Sequence, residues 1–143
     1  MKFIGIDPGK SGGISVITHD LQDVVAYKMP DTEKDIADLF KEITFEGPYV
    51  ALIEKVSSMP GQGVKSMFNF GMNYGFLRAC LHSNNIPFDD ILPRKWQQHL
   101  GCLTKGDKNV TKSKAQQLFP DIKITHAIAD SLLIAKYCYE VNR

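Results

Sequence analysis

Cysteine is scarce in this chain and never closely paired: Cys80, Cys102 and Cys138 are odd in number, widely separated and form no C-x-x-C motif. That pattern speaks against a disulfide framework or a cysteine-rich zinc site and fits buried free thiols in a reducing compartment, hence a cytoplasmic location. No apolar run approaches the roughly 20 residues of a membrane span. Strand-like residues begin at Lys2, where a secretory leader would place its apolar segment, so no signal peptide is expected. Repeats and low-complexity tracts are also missing. Net charge is almost absent, at +1 over 143 residues. That total hides an asymmetry. Residues 1–46 hold five lysines against nine acids, whereas residues 94–123 hold seven basic residues against Asp107 and Asp121. Such a basic segment reads either as a phosphate-binding face or as a solvated lysine-rich loop.

What is present is enough for one domain, residues 1–143, with an ordinary apolar content of 43%. Residues 2–7, 13–18 and 24–29 read as strands of an antiparallel meander. Thr32 and Asp35 form a capping arrangement ahead of a helical stripe, Ile36, Leu39, Phe40 and Ile43. Residues 49–54 are apolar on both faces, as expected of a central strand covered by helices. The stretch 57–63 has little periodicity, and a long helix follows over 64–81. Its Gly71 and Gly75 read as close-packing sites, since each costs about 1 kcal/mol relative to alanine. A fifth strand at 87–92, a short helix opening at Pro93, a basic loop over 101–110, a helix over 111–119 and a last helix from Thr125 or His126 complete the chain. This order predicts an α/β fold with a five-stranded mixed sheet and helices on both faces.

Three acids stand in apolar surroundings. Asp7 closes Phe3-Ile4-Gly5-Ile6 and precedes Pro8-Gly9; Glu54 ends Val50-Ala51-Leu52-Ile53; Asp130 lies in Ile128-Ala129-Asp130-Ser131-Leu132. Each alone has a plain explanation, as a turn former, a surfacing strand end or a first-turn helix acid. Together they suit a hard divalent cation such as Mg²⁺ or Mn²⁺, which takes oxygen ligands. If strands one and four are neighbours, Asp7 and Glu54 converge at one sheet edge. His126 shares a helical face with Asp130 and reads as a metal or proton-transfer group, or alternatively as a capping or solvent residue. Trp96 reads as a core or helix-packing residue. His19, His82 and His99 have no comparable setting.

The ordered set Gly5-Ile6-Asp7-Pro8-Gly9 with Gly12-Gly13, Ile53-Glu54, Phe68-Asn69-Phe70-Gly71 with Gly75, Pro93-Arg94-Lys95-Trp96-Gln97 and His126 through Leu132 resembles the RuvC-type Holliday junction resolvases in their compact phage-like form. The resemblance covers nearly the whole chain and implies a ribonuclease H-like fold. It also implies a homodimer that nicks two opposed strands of a four-way DNA junction, with two Mg²⁺ ions (Mn²⁺ substituting) and no small-molecule cofactor or membrane partner. Asp7, Glu54 and Asp130 then become metal ligands. The family's fourth ligand usually lies three residues before the last acid, a position held here by Ala127, with His126 one residue earlier. The family's aromatic wedge after the glutamate has no aromatic counterpart at residues 55–59, so Met59, Phe68 or Phe70 would serve. Lys105, Lys108, Lys112 and Lys114 would hold backbone phosphates. Rival readings are a nuclease for other branched DNA or structured RNA, and a junction-binding module with a weakened site. A sugar-kinase-like ATPase would need a second phosphate hairpin, which does not follow.

Overall fold

Alternation along the strands decides which side chain meets which layer. The computed structural model describes residues 1–57 and 60–143. Strands β1 (Lys2–Asp7), β2 (Gly13–Thr18) and β3 (Val24–Lys28) form the antiparallel meander. Strand β4 (Tyr49–Glu54) runs parallel to β1, and β5 (Phe88–Ile91) runs parallel to β4. The order β3-β2-β1-β4-β5 puts β1 at the centre. Helices α1 (Glu33–Ile43), α2 (Val64–Ser83), α3 (Pro93–His99), α4 (Lys108–Leu118) and α5 (His126–Asn142) cover the two faces.

Successive residues of a strand point to opposite faces. On one face Phe3, Ile17, Leu52 and Ile91 pack with Trp96 of α3, Ala115 of α4 and Leu132 and Leu133 of α5. On the other, Ile4, Ile6, Ile14, Ala51 and Ile53 pack with Phe40 of α1 and Leu77 and Leu81 of α2. Gly5 belongs to the first set. A Cβ there would stand 2.2 Å from the Ala135 nitrogen and 2.3 Å from the Ser131 oxygen. Only a glycine lets α5 lie directly on the central strand. The same contact buries the Ser15 and Ser131 hydroxyls completely, and they bond each other at 2.7 Å.

Thr32 caps α1 as expected, its side chain accepting from the Asp35 backbone N–H. The three cysteines are buried and free. Among the described residues no helix is long and apolar enough to cross a membrane.

Two expectations need correcting. Helix α4 begins at Lys108, not near Thr111, because the Asp107 carboxylate accepts from the Asn109 N–H at 2.9 Å and caps a first turn whose polar residues carry no apolar stripe. Gly71 and Gly75 are not close-packing sites within the chain. They are exposed, and a Cβ at either meets nothing within 4 Å, since α2 buries Leu77, Cys80 and Leu81 on its other side.

Candidate functional site

Strand pairing brings the first two acids together. Ile6 is in register with Ile53, so Asp7 and Glu54, one residue further on, leave the same end of the sheet side by side. Alternation then aims both to one face: Asp7 follows Phe3 and Gly5, and Glu54 follows Val50 and Leu52, all on the side covered by α5. Helix α5 starts over that end. A Cβ on Gly13, the register partner of Asp7, would come within 2.7 Å of the Ala127 oxygen. Asp130, one turn into α5, therefore faces the two strand ends.

The three carboxylates feel one another. Burial raises the Asp7 carboxyl well above its ordinary range, the charges of Glu54 and Asp130 raise it further, and Lys108 pulls it partly back. Burial pushes Glu54 up to about 7; the Trp96 indole N–H, donating to Oε2 at 2.8 Å, opposes the shift, and Asp130 adds to it. Asp130 is also raised by burial, against the pull of the Thr111 hydroxyl, Lys108 and His126. Among the described residues none of the three acids makes a salt bridge. Unpaired, crowded carboxylates are costly in a site of low polarity. A divalent cation would relieve that cost, and the oxygen donors suit Mg²⁺ or Mn²⁺. As placed, no three His, Cys, Asp or Glu among the described residues are gathered tightly enough to form a finished metal cage.

Asp7 and Asp130 open into a cleft of about 260 Å³, lined also by Ser11, Lys108, Thr111, His126 and Ala127. His126 is the first residue of α5, exposed, and shares this cleft with Asp130. Ala127 lines it as well, so the position three before Asp130 faces the acids but offers them no ligand. Lys108 belongs to the cleft, whereas Lys105 lies in the exposed turn before α4, and Lys112 and Lys114 sit half-buried along α4. Phe68 is 67% exposed on α2. Phe70 lies against Gly9, whose N–H donates to Asn73 Oδ1 at 2.7 Å, so this part of α2 braces the turn after Asp7. Met59 lies outside the described residues.

Two contacts of the acids leave little trace in the sequence. Lys108 is one of four candidate phosphate-binding lysines, and the Asp107 cap that fixes it beside Asp7 and Asp130 is the signal that sets it apart. Trp96 was read as core, which it is, being fully buried. A buried indole needs an acceptor for its N–H, and that requirement was the clue to its bond with Glu54.

The class this architecture defines is the ribonuclease H-like α/β fold: a five-stranded mixed sheet with β1 central, helices on both faces, and acids at the ends of β1 and β4. Within that class the fold is RuvC-like. Thermus thermophilus RuvC in complex with Holliday junction substrate superposes with a TM-score of 0.66 over 94% of this chain and 90% of that one, at 18% identity. Thermus thermophilus RuvC alone gives 0.65 over 94% and 91%, also at 18%. No protein-family model and no curated protein matches the sequence.

Proposed function

We propose that the chain is a single metal-dependent nuclease domain that resolves four-way DNA junctions by paired nicks. The observation that carries the reading is the convergence of Asp7, Glu54 and Asp130 on the α5 side of one sheet end, beside Lys108. Two Mg²⁺ ions, or Mn²⁺ in their place, would supply activation of the attacking water and neutralisation of the leaving oxygen. Asp7, Glu54 and Asp130 hold the cations, and His126 is the fourth ligand or a proton carrier at the rim. Lys108 steadies the phosphate at the mouth of the cleft, and Lys105, Lys112 and Lys114 bind flanking phosphates without reading sequence. Phe68, exposed on α2, is one wedge candidate, and Met59 and Phe70 are the others.

A four-way junction has paired, opposed strands, so two copies of the site are needed for paired nicks. The exposed face of α2, with Val64 and Met72 beside Gly71 and Gly75, is where a second copy of this chain would pack. Met72→Glu is expected to give a folded monomer by sedimentation, with its circular dichroism spectrum unchanged; a dimer that persists rules this face out.

Ala127 in the cleft favours a second reading, a junction-binding protein with a weakened site. One assay separates the two: labelled four-way junction, linear duplex and RNA incubated with Mg²⁺, Mn²⁺ or EDTA. Paired nicks confined to the junction support the resolvase. Binding without cutting in either metal favours the second reading, and cutting of RNA or of other branched DNA broadens the substrate class.

A further inference from the structure

We infer that Trp96 is a positioning residue for Glu54, fixing through its indole N–H the direction in which that carboxylate presents itself to a divalent cation. The inference rests on the proposed role of Glu54 as a ligand and deepens it. Three observations carry it. Trp96 is fully buried in α3, packed in the core layer with Leu132, Leu133 and Ile91, so its ring cannot turn. Its one polar atom reaches a residue 42 positions away, the Oε2 of Glu54, at 2.8 Å. Glu54 itself stands at the last position of β4, paired in register with Ile91, so its backbone is fixed and only its side-chain torsions remain to be set.

A glutamate has one more rotatable bond than an aspartate and is correspondingly less directed. Tying one of its oxygens to a rigid donor removes that freedom. Outer-layer hydrogen bonds to ligating carboxylates work in this way, and their loss typically weakens metal binding by roughly 10–100-fold. The plain structural alternative is that Glu54 merely satisfies a buried indole. The two differ in one respect: only a positioning role couples Trp96 to the cation.

Trp96→Phe keeps an aromatic ring in the core and deletes the donor. Calorimetric titration with Mn²⁺ is expected to give binding weaker by roughly 10–100-fold than in the unsubstituted protein. The chain has a single tryptophan, so a nitrogen-15-labelled sample gives one indole N–H resonance. That resonance is expected to be hydrogen-bonded, slow to exchange with water, displaced by Mg²⁺ along the calorimetric isotherm, and returned toward a free indole position in Glu54→Ala. Should Trp96→Phe not fold, this resonance in the unsubstituted protein decides the matter. Mn²⁺ binding unchanged in Trp96→Phe, or an indole resonance indifferent to Mg²⁺ in a protein that binds it, overturns the inference alone. An unsubstituted protein that takes up neither cation overturns the proposed function and this inference with it.

Discussion

At the scale of single residues, the acids are held in the neutral direction by burial and by one another. The raised Asp7 and Glu54 carboxyls mean that the native state keeps protons the unfolded chain has released. Metal-free stability should therefore be greatest at the acid end of the window between the ordinary glutamate value of 4.5 and about 7, and fall as pH rises through it. Melting temperatures measured in EDTA across that window should drop with pH, and Glu54→Gln should flatten the slope. A slope identical in the variant would remove Glu54 as its source. Asp7→Asn carries the same logic into function. It replaces a carboxyl that is costly to bury with a neutral amide, so the metal-free protein should melt higher; on the proposed function, junction cutting should be abolished while junction binding persists in gel-shift titration. Normal cutting by this variant would show that the site lies elsewhere. Asp7, Glu54 and Asp130 were legible in the sequence because an acid is out of place in an apolar run. The Trp96 bond was not, because nothing local links residues 54 and 96.

At the scale of elements, the three-strand meander and a helix-covered fourth strand were readable from period-two alternation and from an apolar run. The adjacency of β1 and β4 was not, because pairing between strands distant in sequence leaves no local mark. Where a cap rather than an apolar stripe sets the boundary, as at Asp107, the reading fell three residues short. The glycines of α2 show a different limit. Spacing alone does not say whether a helical glycine faces a neighbour or solvent, and Gly71 and Gly75 face solvent. Gly5 is the opposite case, since its missing side chain sets the distance between β1 and α5 and thereby the distance between Asp7 and Asp130. Gly5→Ala meets backbone atoms rather than a movable side chain. It should cost at least about 3 kcal/mol, the upper end for over-packing a core. Denaturant titration would check this, and a variant of near-normal stability would mean that α5 can shift freely on the sheet.

Across the whole molecule, the basic segment and the acids share one layer. The basic segment folds into α3, the turn before α4 and α4 itself, and Lys108 lines the same cleft as Asp7 and Asp130. Lys112→Glu with Lys114→Glu should weaken junction binding and flatten its dependence on salt, because fewer counterions are released on binding. An unchanged salt slope would assign those lysines to solvent. The residue pattern of β1 also carries a genetic consequence. Exchanging one branched apolar residue for another within Phe3–Ile6 leaves every side chain on its own side of the sheet. Losing or gaining a single codon there keeps the strand just as apolar yet rotates Asp7 to the α1–α2 side, away from Glu54 and Asp130. Gly5 apart, this stretch should thus tolerate missense changes among similar residues far better than in-frame insertions or deletions, and its length is what a lineage must preserve as strictly as that glycine.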